Sequence, residues 1–320
     1  PFVLTITRLK KVCFMAQKAY SRVLSDYEHA DDFLRKSLHL NNEFSTKQFN
    51  DAVVAVASVE MMTERVIGKN TLDSTAYRMP QYKTDESRVA LRKRIFDELS
   101  QKKRLANDEK ITLGKGGALP NTALKKDKQA FYVIGLPASG KSEVAGLLSD
   151  NYGAIILDSD YAKRKFPEYQ AECGATIVHE ESSMVVFGGK EPYASEDSLL
   201  KYAVQNDFNI VIPKIGDVSS KVLALAKSLQ RAKYEVHLVL VRLDREIAVR
   251  RAFTRFSKTG RYVPLSLIFD VYANDPTITF YDLLHKNEIF SSYTMISSNV
   301  PLGEQKKVIY KTDKSPIIFG

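Results

Sequence analysis

The sequence predicts an α/β fold, a parallel sheet with helices on both faces, preceded by an all-helical N-terminal region. Two observations lead to this fold class. Beyond about residue 130, short apolar runs of the kind that form buried strands alternate with helical patterns. Before residue 125, apolar residues recur at three- and four-residue steps, the spacing of an amphipathic helix. We therefore expect a helical N-terminal region with a basic connector over residues 1–125, and an α/β domain over residues 126–320.

The N-terminal region is expected to hold three helices. They cover about residues 5–37, 46–67 and 85–106. Asn42 and Ser45-Thr46 are suited to cap the second helix, because their side-chain oxygens can accept a hydrogen bond from a free backbone N–H of the first turn. Glycine-containing stretches at 68–70 and 114–117 indicate loops after the second and third helices.

Five apolar runs are expected to form the strands of the sheet. They lie at about 131–135, 154–157, 210–212, 236–241 and 293–296. Helical patterns lie between them at about 141–150, 193–206, 218–232 and 245–257. Runs without polar alternation are typical of strands covered on both faces, which favours a parallel sheet.

The composition and charge describe a globular protein with a basic N-terminal part. Hydrophobic residues make up 44% of the chain and charged residues 27%, and the net charge is +9. Residues 1–130 carry 24 Lys and Arg against 16 Asp and Glu, and the densest stretch is 88–128. An anionic partner such as nucleic acid would explain this stretch, and so would a solvated helix face with a linker. Phe96 is its only aromatic residue, which favours the second interpretation and disfavours nucleic acid.

The sequence indicates a cytoplasmic protein. It has no run of eighteen apolar residues that would predict a membrane-spanning helix, and its start lacks the apolar core of a signal peptide. Its two cysteines, Cys13 and Cys173, are far apart, as expected for free thiols in a reducing compartment. Because the sequence begins at Pro1, we expect that a preceding segment is missing.

A phosphate-binding loop is the strongest motif of the chain. Gly135-Leu136-Pro137-Ala138-Ser139-Gly140-Lys141-Ser142 fits G-x-x-x-x-G-K-[ST], with an apolar strand before it and a helical pattern after it. Its glycines allow backbone N–H groups to point inward at phosphate oxygens, and the helix N-terminus adds a positive dipole. Lys141 is expected to reach the β- and γ-phosphates, and Ser142 to bind Mg²⁺. The motif therefore predicts ATP and magnesium as ligands. The residues expected to bind the nucleotide are Gly135, Pro137, Ala138, Ser139, Gly140, Lys141 and Ser142.

Two carboxylates follow the second predicted strand. Asp158 and Asp160 are expected in the same crevice as the phosphate loop, because ligands bind beyond the carboxyl ends of parallel strands. Either one could accept a proton from an attacking hydroxyl or hold Mg²⁺ through water, and Asp160 is the preferred catalytic base. The alternative is that Ser159 or Asp160 caps the helix that follows, a role that is compatible with catalysis.

Further candidates come from a possible helix start and from a group of arginines. His179-Glu180-Glu181 indicates a substrate-binding helix start, or a plain N-terminus with acids near the helix dipole. Arginines 250, 251, 255 and 261 follow the fourth strand. Phosphoryl transfer spreads negative charge that a lid of arginines can neutralise, and Arg255 and Arg261 are favoured for this role. The alternative is a solvated basic helix.

Taken in order, these motifs resemble the zeta toxin kinases of bacterial toxin–antitoxin systems, over about residues 128–297. The ordered set is the phosphate loop, Asp-x-Asp, His-Glu-Glu-Ser-Ser, R-x-x-x-R and Gly-Arg-Tyr-Val-Pro. The resemblance implies a P-loop kinase fold that uses ATP and Mg²⁺. It implies an acceptor such as UDP-N-acetylglucosamine, phosphorylated on the sugar 3′-hydroxyl. Asp160 matches the family's base, Lys141 and Ser142 its phosphate and metal contacts, and Arg255 and Arg261 its charge-stabilising arginines.

One position departs from the family's pattern. The third strand of the family usually ends in an acid followed by Gly-Thr, which helps to bind the acceptor, whereas this strand ends in Pro213-Lys214-Ile215. Lys214 would suit a more anionic acceptor, such as a dinucleotide, and some relatives phosphorylate NAD. The expected substrate-binding residues are therefore Asp158, Glu181 and Lys214.

The N-terminal region and the class of activity each leave alternatives. The family's antitoxins are small helical bundles that block the nucleotide site, so residues 1–125 could be a fused inhibitory bundle, although a scaffold or docking role is preferred. An ATP-binding switch or adaptor is a second hypothesis for the whole chain, and a nucleic-acid end kinase is a third. Phosphate release without an acceptor would favour the switch. A steep salt dependence of oligonucleotide binding would favour the end kinase.

Overall fold

A computed structural model describes residues 22–286, 288–301 and 304–317. The greater part of the first predicted helix, residues 5–21, lies outside the described residues, as does Cys13. Within the described part, that helix begins at Tyr27, because the Asp26 carboxylate caps it by accepting a hydrogen bond from His29 N at 3.0 Å. No helix of the described part is long and apolar enough to cross a bilayer.

The helices are numbered in chain order. They are α1 Tyr27–Lys36, α2 Thr46–Val66, α3 Asp85–Gln101, α4 Lys141–Tyr152, α5 Ser159–Lys163, α6 Gly174–Ile177, α7 His179–Phe187, α8 Leu199–Gln205, α9 Ser219–Arg231, α10 Arg245–Thr259 and α11 Asp275–Leu283. A π-helical segment spans Leu267–Tyr272, and a 3₁₀ turn, Asp108–Lys110, lies near the crevice described below. Of the predicted capping residues, Ser45 caps α2, in a capping box with Gln48.

One six-stranded sheet forms the centre of the molecule. Its strands are β1 Gln129–Ile134, β2 Ile155–Ile156, β3 Ile210–Lys214, β4 Glu235–Arg242, β5 Ser292–Ser297 and β6 Lys307–Lys311. Their order is β2-β3-β1-β4-β5-β6, parallel except that β6 runs antiparallel to β5. β1 is central, with Phe131 paired to Val211 of β3 and to His237 of β4. All carboxyl ends of the parallel strands therefore open at the same edge.

The burial of the strands explains why five of them were predictable. Residues Ala130 to Ile134 of β1 and Leu238 to Val241 of β4 are buried, as an apolar run between two helical layers requires. β6 was not predicted because it lies at the edge of the sheet. Its Lys-Val-Ile-Tyr-Lys sequence is mostly exposed and carries no continuous apolar run.

The N-terminal helices share apolar clusters with the α/β domain. Leu91, Ile95 and Leu99 of α3 are buried in the cluster that contains the central strands. Residues of α1 and α2, such as Phe33 and Val53, join α10 in a second cluster. The boundary near residue 125 stays a prediction, but the described N-terminal helices pack as part of one continuous structure.

Helix α3 ends at Gln101, earlier than the predicted 106. Lys102 takes an extended backbone, and the loop at 114–119 crosses the helix end there. A Cβ on Gly117 would overlap the carbonyl oxygens of Glu98 and Lys102, so only glycine permits this crossing.

Candidate active site

The phosphate loop follows β1 at the centre of the sheet edge. Gly135 N donates a hydrogen bond to Ile215 O at 3.0 Å, which ties the loop to the end of β3. A Cβ on Gly135 would lie 2.6 Å from the carbonyl oxygen of Val241, so the backbone passes too close to β4 for a side chain. Gly140 takes a φ of +84° immediately before α4. The two motif glycines thus permit the turn that aims the N-terminus of α4 into the crevice.

Lys141 folds back over its own loop. Its Nζ donates hydrogen bonds to Gly135 O at 2.7 Å and Leu136 O at 2.6 Å. Burial lowers the pKa of Lys141 to about 8, against the opposing effect of Asp158 and Asp160. The ammonium is therefore held at the mouth of the loop, where it faces the two carboxylates of the crevice.

The other residues of the loop divide between its interior and its rim. The Oγ atom of Ser139 is buried and has no hydrogen-bond partner among the described residues. Pro137 and Ala138 are half-buried at the rim, and Ser142 is exposed in the first turn of α4. An orphaned buried hydroxyl and a lysine at a helix N-terminus fit a bound phosphate chain, and the Ser142 hydroxyl is of the type that binds Mg²⁺.

Asp158 and Asp160 stand where β2 passes into α5. The strand ends at Ile156, so the two carboxylates are related by helix capping, with Asp158 Oδ1 accepting from Asp160 N at 2.9 Å. Asp160 forms ion pairs with Lys163 at 3.0 Å and Arg261 at 2.6 Å. The predicted cap, Ser159 or Asp160, is therefore wrong, because Asp158 caps the helix. The Asp160 carboxylate lies among cations, with 35% of its side chain exposed.

The two carboxylates differ in their readiness to ionise. Burial, and then the nearby Asp160 charge, raise the pKa of Asp158 to about 6. Burial also acts to raise the pKa of Asp160, but Lys163 and Arg261 outweigh it and hold that pKa well below its usual range. Asp160 is thus ionised at neutral pH, and Asp158 is the more basic of the pair.

Two of the four candidate arginines lie in the crevice. Arg261 bridges Asp160 and, at 3.4 Å, Glu109 of the 3₁₀ turn. The Nε atom of Arg255 is buried and has no hydrogen-bond partner among the described residues. Burial, and then the charge of Arg261, lower the pKa of Arg255. Both guanidinium groups are placed to meet an anion between them and the phosphate loop.

The other two arginines serve the structure. Arg250 forms an ion pair with Glu43 at 2.6 Å and donates to the carbonyl oxygen of Leu38. Arg251 donates to Ser298 O at 3.0 Å and Val300 O at 2.8 Å. These contacts fasten α10 to the N-terminal helices on one side and to the segment after β5 on the other.

Lys214 ends β3 beside the aspartates. Its Nζ lies 3.5 Å from the centroid of the Phe187 ring, a cation–π contact. Burial lowers the pKa of Lys214 to about 8, with Asp158 acting against it. Lys214 and Phe187 therefore present a cation and an aromatic ring next to the carboxylates.

Glu181 does not face the crevice. Its side chain is fully buried, and its carboxylate accepts hydrogen bonds from Arg88 at 2.6 Å, Arg92 at 3.0 Å and Thr71 at 2.5 Å. These contacts give Glu181 a structural role, in place of the predicted contact with substrate. Arg88 and Arg92 belong to the basic stretch, so part of that stretch is buried in ion pairs and is not a solvated face.

Lys163, Glu109 and Lys306 are among the residues near the crevice that the sequence did not indicate as site residues. Lys163 has a local signal, because the spacing of three from Asp160 places both on one helix face. Glu109 has none, since it lies 152 residues from Arg261. Lys306 has none either. Its Cε would lie 2.7 Å from a Cβ on Gly140, and its Nζ pairs with the Glu143 carboxylate.

A zeta toxin family model matches residues 118–299, which contain every predicted site residue. The chain belongs to the zeta toxin family. The family match and the mostly parallel sheet confirm the predicted fold class, a P-loop kinase-like domain preceded by a helical region. No curated protein matches the chain.

Several solved structures also align with the chain. One comes from the PezAT toxin–antitoxin system of Streptococcus pneumoniae, with 15% identity, a TM-score of 0.42, and coverage of 71% of this chain and 81% of that one. The AvrRxo1-ORF1:ORF2 complex with ATP aligns with 14% identity and a TM-score of 0.43, and the alignment covers 71% of this chain and 65% of that one. The native form of that complex aligns with 15% identity and a TM-score of 0.45, and the alignment covers 75% of this chain and 70% of that one.

Proposed function

We propose that this zeta toxin family protein is an ATP- and Mg²⁺-dependent kinase that phosphorylates a hydroxyl group of a small nucleotide metabolite. One observation carries the proposal. The ionised Asp160 carboxylate, the buried cation of Lys141 and the guanidinium groups of Arg255 and Arg261 converge at the carboxyl edge of the sheet. A carboxylate for the acceptor and cations for the transferred group are the parts that phosphoryl transfer requires.

The residues divide the work as follows. The loop from Gly135 to Ser142 would bind the phosphate chain of ATP, with Lys141 exchanging its contacts with loop carbonyls for phosphate oxygens. The Ser142 hydroxyl would hold Mg²⁺, which would neutralise charge on the phosphates when bound. Asp160 binds the acceptor hydroxyl and takes its proton, while Arg255 and Arg261 stabilise the charge that spreads over the transferred group.

Asp160 does not need a high pKa for this task. The transition state of phosphoryl transfer is loose, so the acceptor hydroxyl must be oriented more than it must be deprotonated beforehand. An ionised carboxylate fixed by Lys163 and Arg261 is suited to orientation. In this proposal Asp158, whose pKa is higher, assists Asp160 by sharing the proton.

The acceptor that we propose first is a nucleotide sugar such as UDP-N-acetylglucosamine, which would make the protein a toxin-like kinase of the cytoplasm. Support comes from the family and from Lys214 and Phe187, which suit a negatively charged molecule with a stacking base. The same pair would accept a dinucleotide, so NAD is the alternative acceptor. A small helical antitoxin is the expected partner, by analogy with the family.

An ATP-binding switch or adaptor is the second candidate function. The observation in its favour is the sharing of apolar clusters between the N-terminal helices and the α/β domain, which could transmit a nucleotide-dependent change. A switch would release phosphate from ATP at a rate independent of any added metabolite.

The test is to incubate the protein with ATP, Mg²⁺ and a panel of nucleotide sugars, NAD and nucleosides, and to weigh the products. We expect one acceptor to gain the mass of a phosphate, and Asp160→Asn to abolish the gain. Asp282→Asn, on α11, serves as a matched control that should keep full activity. Failure of every acceptor, with steady release of phosphate, would support the switch.

A further inference from the structure

Residues of the N-terminal region contact residues 245–272, which we call the arginine segment. It spans α10, the loop that carries Arg261, and the π-helical segment. Four polar side chains from outside the family match contact this segment. Three of them form ion pairs, Arg22 with Asp270 at 2.8 Å, Glu43 with Arg250 at 2.6 Å and Glu109 with Arg261 at 3.4 Å. The fourth, Glu60, accepts a hydrogen bond from the hydroxyl of Tyr262. The N-terminal residues are thus fastened to the part of the domain that carries the arginines.

The nucleotide loop receives no such contacts. Among the described residues, no hydrogen bond or ion pair joins residues 22–125 to residues 135–142. Leu136 and Ala138 of the loop do belong to the apolar cluster that contains Phe33 and Val53 of the N-terminal helices. The polar contacts of the described N-terminal residues, however, fall on the arginine segment, and they favour a role in holding it.

The contact between Glu60 and Tyr262 differs from the other three because its carboxylate side chain is buried. Glu60 lies on the inner face of α2 with 7% of its surface exposed. Its carboxylate accepts the hydrogen bond of the Tyr262 hydroxyl, and that hydroxyl in turn accepts from Leu265 N at 3.4 Å. A buried carboxylate without this donor would be left unsatisfied, so the contact fixes the position of the tyrosine.

Tyr262 is connected to both crevice arginines. It follows Arg261 directly in the chain, so a fixed Tyr262 fixes the peptide from which the Arg261 side chain extends toward Asp160. Its ring packs edge-to-face on Phe256, with centroids 4.9 Å apart, and Phe256 follows Arg255. One side chain thus restrains the backbone on each side of the anion site.

We propose that Glu60 and Tyr262 form a positioning pair through which helix α2 aligns Arg255 and Arg261 for phosphoryl transfer. The proposal rests on the proposed kinase function, and it makes the region before the family match a working part of the active site. Neither residue touches ATP or the acceptor; both act through the two arginines.

Tyr262→Phe tests the proposal by removing only the hydroxyl. We expect kcat for acceptor phosphorylation to fall about tenfold or more, as for loss of a hydrogen bond to a charged group, while the Kd for MgATP changes less than about twofold. Amide hydrogen exchange should become faster in residues 255–265. Tyr281→Phe, which removes the hydroxyl of an exposed tyrosine on α11, should change none of these values.

Changes at Glu60 separate positioning from simple stability. Glu60→Gln keeps a carbonyl oxygen that accepts from Tyr262, so its kcat should stay within about threefold of the unmodified protein. Glu60→Leu keeps a side chain of similar size but removes the hydrogen-bond acceptor, so it should lower kcat as much as Tyr262→Phe does. Glu64→Gln, one turn along α2 at an exposed contact with Ser25, is the matched control.

The proposal is overturned if Tyr262→Phe lowers the melting temperature but leaves kcat and the exchange of residues 255–265 unchanged, because the pair would then be structural only. It is also overturned if Tyr262→Phe raises kcat, since the contact would then restrain the arginines. If the unmodified protein phosphorylates no acceptor, the proposed function fails, and the exchange measurement still decides whether the pair holds the segment.

Discussion

Substitution of Glu181 by Gln separates a structural from a substrate-binding role for a residue of the His-Glu-Glu motif. The carboxylate lies in a buried network with Arg88 and Arg92, which also pair with Glu168 at 2.7 Å and Glu196 at 2.6 Å. Glutamine has nearly the same shape, but it removes one charge and points an amide N–H₂ at guanidinium donors. The change therefore breaks the network without creating a cavity.

The expected magnitude follows from these contacts. Breaking a buried ion pair by removing one partner costs about 3–5 kcal/mol, because a charge is left uncompensated. Arg88 and Arg92 each keep a second carboxylate, so we expect the lower end, about 3 kcal/mol. With an unfolding entropy of about 2.1 cal/mol/K per residue, this free energy lowers the melting temperature of a chain of 320 residues by roughly 4–5 °C.

Thermal unfolding and steady-state kinetics test this prediction together. Glu181→Gln should melt at the lower temperature while the acceptor KM and kcat of the folded protein stay within about twofold. Glu180→Gln, the same substitution at the exposed neighbouring residue, should shift the free energy of unfolding by less than about 0.5 kcal/mol. An unchanged melting temperature with a several-fold higher acceptor KM would refute the structural role and restore the predicted contact with substrate.

Three further predictions concern the crevice. Asp160→Asn should lower kcat about 10²-fold or more, because the acceptor hydroxyl loses its base. It should lower the free energy of unfolding by only about 1 kcal/mol or less, since the ion pairs of Asp160 are partly exposed. A turnover close to that of the unmodified protein would exclude Asp160 as the base. The value of kcat/KM should fall below about pH 6, where the Asp158 carboxylate is protonated, and above about pH 8, where Lys141 loses its charge. A kcat/KM that does not change with pH would contradict this prediction. Gly135→Ala should weaken MgATP binding about tenfold or more, measured by calorimetry, because the added Cβ would meet Val241 O. Gly68→Ala, at a turn where a Cβ meets no other atom, should leave the affinity unchanged. Equal affinities of the two variants would argue that the loop does not bind the nucleotide.

The parts of the structure that were predictable from sequence are those with local causes. The phosphate loop is a short motif whose glycines, lysine and serine act within one turn of backbone. The central strands are apolar because both of their faces are covered, and that burial is visible in the sequence itself. Ser45 likewise caps a helix that starts at the next residue.

The parts that were not predictable depend on distant partners. Glu181 looks like a surface acid at a helix start, but Arg88, 93 residues earlier, buries it in an ion pair. Arg261 meets Asp160 across 101 residues, and no local pattern indicates that contact. The basic stretch shows the same limit, because charge alone does not reveal that Arg88 is fully buried.

The central claim, transfer of the γ-phosphate of ATP to a hydroxyl beside Asp160, is tested most directly by following that phosphate. The protein would be incubated with Mg²⁺, γ-labelled ATP and the acceptor panel, beside Lys141→Ala as a control. We expect the label in a phosphorylated metabolite with the unmodified protein, and unreacted ATP with Lys141→Ala. Label recovered only as inorganic phosphate, at the same rate with and without acceptors, would contradict the account.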